Sequence, residues 1–374
     1  MITVCVPTFN RPAFIERLLR YYAATGYRHW IFIGDSSQAE DAARTRRAVE
    51  SWEGQLQVRY EACPGLSSCA ALEYLSRFIT TPYCAFLGDD DFLCPTTLDR
   101  CAEFLDANPD YSAAHGRAIL FQIETAGPYG AMGTVGSYPL ATLEADTGAG
   151  RLKEFFTVSL YALLNAVHRT PTWRDMFRGV GSMKGVKNRN LFKDELMATC
   201  VSVIRGKVKE LDGFYLMRQA HDTYHWPHIY EWLMDSEWSP SYQIFHERLA
   251  DELIRQDGLR MEEARAVIRD VFWPYLAAQV IETRKTETAR VRPGRSSLRR
   301  FARRLPAARQ AWRALRAVVQ RARDPWSLPA LLDPTSPHHA DFLPIYQLVT
   351  SRPVEPPGGE RPPARASETI VMST

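Results

Sequence analysis

No stretch of this 374-residue chain approaches the ~20 consecutive apolar residues of a spanning helix, so any membrane contact would be peripheral. The amino terminus, Met1-Ile2-Thr3-Val4-Cys5-Val6-Pro7, enters a strand at once, without a basic n-region, a long apolar h-region or a small-residue cleavage site. A cytoplasmic location is the expectation. The seven cysteines, Cys5, Cys63, Cys69, Cys84, Cys94, Cys101 and Cys200, are odd in number and form no CxxC pair. That excludes a small stapled fold and predicts buried thiols in a reducing compartment. There is no internal repeat, and no recognised nucleic-acid reading module accompanies the net charge of +3. With 45% apolar residues, the composition is that of a soluble globular protein of one large or two medium domains.

The first hundred residues alternate strand and helix signals. Ile2 to Val6 is an apolar strand. The turn Pro7-Thr8-Phe9-Asn10-Arg11-Pro12 then leads into an amphipathic helix through Phe14, Ile15, Leu18, Leu19 and Tyr22. Trp30 to Ile33, Gln55 to Tyr60 and Tyr83 to Leu87 are further strands, separated by helices over Ala39 to Trp52 and Ser67 to Phe78. This order predicts an α/β fold with a mostly parallel sheet flanked by helices. Pro95 opens a helix to Leu105, and a strand follows near Ser112 to Phe121. Residues 127–150, rich in Gly, Thr and Ala and without a clear period, are expected to form a long loop. Arg151 to Leu164 and Pro171 to Phe177 read as helical, with a strand at Leu163 to Val167 as an alternative. Lys193 to Ile204 reads as an amphipathic helix closed by Gly206, and Lys207 to Leu211 as the next strand.

The strand Tyr83 to Leu87 ends in Gly88-Asp89-Asp90-Asp91. Two carboxylates ~5 Å apart repel by ~3 kcal/mol at an effective dielectric of ~20, and this site has three. Helix capping needs only one side-chain oxygen, so the other acids call for a cation. Oxygen ligands at a strand end favour Mn²⁺ or Mg²⁺, completed by substrate phosphates. The carboxyl edge of the predicted sheet gathers Thr8-Phe9-Asn10, Asp35-Ser36-Ser37 and Asp89-Asp90-Asp91 into one cleft, where ligands bind in open α/β sheets.

Three segments, Val4-Cys5-Val6-Pro7-Thr8-Phe9-Asn10-Arg11, Phe32-Ile33-Gly34-Asp35-Ser36-Ser37 and Phe86-Leu87-Gly88-Asp89-Asp90-Asp91, together resemble the family 2 glycosyltransferases of the GT-A fold. The resemblance covers residues 1–125 and extends more weakly to about 225. It implies that Pro7, Thr8 and Asn10 line a nucleotide pocket and that Asp35 hydrogen-bonds the base of a UDP-, GDP- or dTDP-sugar. Asp89 and Asp91 would form the DxD pattern, with Asp90 touching metal or ribose. One departure is Ser67-Ser68-Cys69-Ala70-Ala71-Leu72, where many members carry an Arg-Asn pair.

The same resemblance makes Phe192-Lys193-Asp194-Glu195-Leu196 the acidic pair that supplies a catalytic base for an inverting transfer, Asp194 first and Glu195 second. Helix-dipole capping explains the pair equally simply. Arg218 offers a bidentate fork for the diphosphate. His221 or His225 would add a metal ligand.

These readings divide the chain into a catalytic domain at 1–225, a helical extension at 226–283, a basic amphipathic segment at 284–325, a packing segment at 326–350 and a Pro-rich polar tail at 351–374. In the basic segment, Phe301, Leu305, Ala308, Trp312, Leu315 and Val319 alternate with arginines, a pattern suited either to an anionic membrane or to packing on the body of the protein. The helical extension is expected to break at Pro274. The aromatic run Tyr224 to Trp232 suits a saccharide or lipid-linked acceptor, or simple helix packing. Transfer of a sugar to a hydroxyl acceptor in surface polysaccharide or glycolipid synthesis is the expected activity. A sugar nucleotidyltransferase is the enzymatic alternative, although Pro7 to Arg11 lacks its Gly-rich basic phosphate loop. A peripheral membrane or nucleic-acid binding protein is the non-enzymatic one.

Overall fold

The computed structural model describes residues 1–158, 163–183, 190–221, 229–291 and 324–351. Its nine-stranded sheet is built outward from β1 (Ile2–Thr8), which is buried at all seven positions. β1 pairs in parallel with β2 (Trp30–Asp35) and β4 (Tyr83–Phe86), and β2 with β3 (Gln57–Ala62). A strand covered on both faces is largely apolar, which is why Ile2 to Val6 does not alternate, and its one polar residue there, Thr3, is satisfied by the Thr81 hydroxyl at 2.7 Å. The two faces still separate cleanly. Ile2, Val4, Val6, Ile31 and Ile33 join one hydrophobic cluster, whereas Cys5, Phe32 and Cys84 join the other.

Helices α1 (Pro12–Ala24) and α4 (Pro95–Ala107) cover the first face, each with proline in its first turn, where no N–H is needed. The second face carries α3 (Ser68–Leu75), preceded in the chain by α2 (Ala39–Glu50) and capped by Ser67 Oγ on the Ala70 amide. It also carries α6 (Thr170–Phe177) and α7 (Met197–Arg205). All seven cysteines are buried and unpaired.

The expected loop at 127–150 instead contains a strand, β7 (Met132–Tyr138), antiparallel to the long strand β6 (Tyr111–Ile123). In β7 only Met132, Val135 and Tyr138 are buried, a spacing of three that carries no period-two signal. Residues Leu163–Asn165 form a 3-10 turn rather than a strand. β8 (Val167–Arg169) begins where the expected strand ends and joins β4 to β6 in antiparallel register.

α5 (Gly148–Val158) packs on α7, which is buried at every position from Met197 to Ile204 and so is a core helix rather than an amphipathic one. The short β5 (Phe92–Leu93) pairs with β9 (Lys207–Gln219), which runs eight residues past the expected end at Leu211 and lies parallel to β6. That extension brings Arg218 and Gln219 to the aspartate triplet.

Beyond residue 228, α8 (Ile229–Leu233), α9 (Trp238–Asp257) and α10 (Met261–Val291) pack against the second face. α10 continues through Pro274 without the expected break. Pro274 and Asp270, whose carbonyl loses its usual donor there, are exposed to solvent, while Phe272 and Leu276 are buried on the opposite side. Trp232 is buried against Phe192 and Trp238, so this part of the aromatic run is core packing. Tyr224 to His228 lie outside the described residues, as do the basic helix expected at Phe301 to Val319 and the tail from 352.

The chain returns to the first face as α11 (Leu328–Leu331) and α12 (His339–Thr350), with Leu331, Phe342, Ile345 and Val349 buried. No helix among the described residues is long and apolar enough to cross a membrane.

Candidate active site

β1 ends in a turn that fastens the cleft on one side. Asn10 sits at φ 55, in the left-handed region that Asn tolerates better than most residues. Its amide donates to Ser37 Oγ at 2.7 Å, and its side-chain oxygen accepts from the Gln38 amide at 2.8 Å. Asp35, at the end of β2, is buried and accepts from the Ser37 amide at 2.9 Å and the Tyr60 hydroxyl at 3.1 Å.

Pro7, expected in a nucleotide pocket, is buried inside β1 in register with Gly34. Its missing N–H falls beyond the reach of β4, which pairs with β1 only as far as Cys5, so no ladder bond is lost. Thr8 turns its hydroxyl to Asp89 Oδ2 at 2.7 Å.

The aspartate triplet follows β4, and each member has a different setting. Asp89 points inward, where Arg11 Nη1 donates to its Oδ1 at 2.6 Å and Thr8 holds the other oxygen. Asp90 Oδ2 receives Arg11 Nη1 at 2.9 Å and lies 2.8 Å from His221 Nε2. Asp91 Oδ1 accepts from the Gln219 amide at 3.0 Å, and its Oδ2 lies 3.3 Å from Arg218 Nε. Burial, and then the Asp90 charge, push the Asp89 and Asp91 carboxyls up. Burial works against Asp90 too, but the His221 hydrogen bond and the Arg11 charge hold it well below the usual carboxylate range.

Gly88 decides how two of these acids face. A Cβ on it would lie 2.8 Å from Asp90 Oδ1 and 3.0 Å from Asp91 Oδ2, so the two oxygens converge over the bare glycine. Asp90 Oδ1 accepts no hydrogen bond from a described residue. No cluster of three or more His, Cys, Asp or Glu suited to a metal occurs among the described residues. Of the four expected ligands, Asp89 is turned away, and His221 faces the Asp90 oxygen opposite the convergence. The remaining donor set is two hard oxygens, which suits Mg²⁺ or Mn²⁺ only if a substrate contributes the rest.

The acidic pair occupies a π-helical turn, Phe192–Leu196, just before α7. Such turns recur at functional sites because they re-aim side chains. Asp194 Oδ2 accepts from the Asn190 amide at 2.9 Å, and its Oδ1 lies 3.9 Å from Lys193 Nζ, so this carboxylate closes its own turn. Glu195 accepts no hydrogen bond from a described residue. Burial pushes it up to about 7 against the opposing charge of Arg218. Arg218 also donates to the Tyr138 hydroxyl at 2.6 Å, and its guanidinium stacks 5.0 Å from that ring.

Arg11, Arg17, Tyr138 and Gln219 carry no site signal in the sequence beyond the place of Arg11 at the end of the Val4-to-Arg11 segment. Arg17 lies three residues after Phe14 on the buried face of α1, a helical spacing that signals burial but not the charge placed there. Gln219 meets the triplet from the end of β9, and Tyr138 of β7 reaches it only through Arg218, placements that no local pattern reveals.

Residues 3–131 match the family model described as glycosyl transferase family 2. No curated protein matches the chain. Among solved structures it is similar to S. aureus TarS, at 15% identity and a TM-score of 0.46 over 72% of this chain. That match spans 42% of the TarS chain, less than half its length. It is also similar to S. aureus TarS 1-349, at 14% identity and a TM-score of 0.46 over 81% of this chain and 78% of that one. Against TarS 1-349 in complex with UDP-GlcNAc the values are 16% and 0.45, over 72% and 71%.

Proposed function

We propose, from the match of residues 3–131 to the glycosyl transferase family 2 model, that the cleft takes a nucleoside diphosphate sugar and transfers the sugar to a hydroxyl acceptor. The observation that carries this reading is the convergence of Asp90 Oδ1 and Asp91 Oδ2 over Gly88, with Arg11 and Arg218 bonded to the same aspartates. Asp90 and Asp91 would hold a divalent cation, Mn²⁺ or Mg²⁺, jointly with the diphosphate. Such an ion, when bound, neutralises charge on a departing diphosphate without proton transfer.

The chain's own groups supply the rest. Asp89 stiffens the turn through Thr8 and Arg11, and His221 supports Asp90. Arg218 presents a planar fork to phosphate oxygens. The edge formed by Asn10, Asp35 and Ser37 would receive the nucleoside. Glu195 is the base in this reading, because it is not engaged in capping and its pKa of about 7 matches the working pH of a general base. It takes the acceptor hydroxyl proton as that oxygen bonds to the anomeric carbon, and the bond from that carbon to the diphosphate oxygen breaks on the opposite face. The outcome is inversion. A saccharide or lipid-linked acceptor is proposed from the basic segment at 284–325, whose residues 292–323 lie outside the described ones.

A thermal-shift series with UDP-, GDP- and dTDP-sugars, each with and without Mn²⁺, tests the donor site. A ligand of the folded state adds about 2.7 kcal/mol at a hundredfold excess over its dissociation constant. Absence of stabilisation by every donor in both conditions would refute the reading.

A further inference from the structure

Arg17 is fully buried, yet none of its hydrogen bonds goes to a carboxylate oxygen. Nη1 donates to the Pro128 carbonyl at 2.6 Å and to Gln219 Oε1 at 2.7 Å, and Nη2 donates to the Asp90 carbonyl at 2.6 Å. Nε has no partner. The guanidinium rests 4.7 Å from the Phe92 ring and 5.1 Å from the Phe14 ring. Burying an ion without a counter-ion in contact is expensive. Burial accordingly lowers this guanidinium to about 10, with the charges of all three aspartates opposing the shift, so it stays charged at neutral pH.

The cost has a compensating logic at the level of the site. Arg11, Arg17 and Arg218 set three guanidiniums against the three carboxylates of Asp89, Asp90 and Asp91. The charge of the triplet is therefore already offset before a ligand arrives, with Arg218 also facing Glu195. A bare divalent cation would meet that fixed positive charge, whereas a cation arriving with a diphosphate would bring its own counter-charge. Arg11 and Arg218 are partly exposed and can turn toward a phosphate, but Arg17 cannot leave.

We propose that Arg17 is a positioning residue, the fixed positive charge that makes the aspartate triplet take a divalent cation only together with a diphosphate while holding the Asp90 carbonyl in place. This rests on the reading of the cleft as a donor site.

The test compares the full-length protein with Arg17→Met, Arg17→Gln and Arg17→Lys by titration calorimetry at low ionic strength. The titrants are Mn²⁺ alone, then UDP, GDP and dTDP without metal, then each with Mn²⁺. Removing the charge in Arg17→Met should tighten bare Mn²⁺ by roughly tenfold and weaken metal-free nucleoside diphosphate by a similar factor, while Arg17→Lys stays near wild type. Opposite shifts are something a merely structural role does not produce. A folded neutral variant whose two affinities are unchanged, or fall together, overturns the proposal. If Arg17→Met does not fold, Arg17→Gln carries the same comparison. If neither folds, the wild type decides, because bare Mn²⁺ binding as tightly as Mn²⁺ with a diphosphate overturns it. Failure of the wild type to bind any of the three diphosphates with Mn²⁺ refutes instead the donor-site reading beneath it.

Discussion

The Asp194 carboxylate lies 2.9 Å from the amide nitrogen of Asn190 and so closes the turn that carries it. Its neighbour Glu195 makes no such bond and faces the charge of Arg218. One residue of the acidic pair holds the π-helical turn, and the other makes no hydrogen bond with a described residue.

This division sets an order of effects. Glu195→Gln should lower kcat by about 10²- to 10⁴-fold, with donor binding little changed. Asp194→Asn should mainly cost stability, about 1 kcal/mol, because the turn loses a charge-assisted bond. Steady-state kinetics and urea unfolding of both variants check the assignment, and the reverse order of kinetic effects would transfer the base to Asp194.

The elevated Glu195 carboxyl has two consequences of defined sign. As a base it must be ionised, so kcat should rise with pH through about 7 and level off above it. For stability, a carboxyl raised above its unfolded value of 4.5 takes up a proton on folding, so the native state is penalised as pH climbs from 4.5 through about 7. Glu195→Gln should therefore be more stable than wild type at pH 8, by on the order of 3 kcal/mol, and equal to it at pH 4. A pH-independent difference would refute the raised carboxyl.

Gly88→Ala places a methyl group against Asp90 Oδ1 and Asp91 Oδ2. Cation-dependent donor stabilisation in a thermal-shift assay should disappear. The metal-free melting temperature should move by only a few degrees, since ~1 kcal/mol shifts a chain of this size by a few degrees at most. Retention of the full Mn²⁺-dependent shift would mean the cation sits elsewhere.

Asp257 supplies a control far from the triplet. Its two carboxylate oxygens accept from the Gly148 and Ala149 amides, each at 2.7 Å, and so cap the start of α5. Asp257→Ala should cost about 1–2 kcal/mol in urea unfolding and leave kcat and KM for the donor unchanged.

Much of the amino-terminal half is legible in the sequence. Continuous apolar strands, Pro12 and Pro95 at helix starts and acids at strand ends are local signals, and β1 to β4 with their helices lie close to where those signals put them. The triplet, Asp35 and Asn10 share one edge because parallel strands all point the same way. β7 has no local strand signal because its buried positions recur every three residues, and α10 runs through Pro274 because the lost bond falls on its wet face.

What the sequence by itself determined is the inventory: an α/β sheet, three acids at the end of its fourth strand and an acidic pair farther along. Only the tertiary structure decided how that inventory is divided. Asp89 turns inward to Thr8 and Arg11, Asp90 and Asp91 converge over Gly88, Asp194 caps Asn190, and Arg17 lies buried beneath the triplet. The reason is physical. Hydrophobic periodicity reports burial within one element, but the partner that satisfies a buried charge comes from segments up to 202 residues away, as Arg17 and Gln219 do.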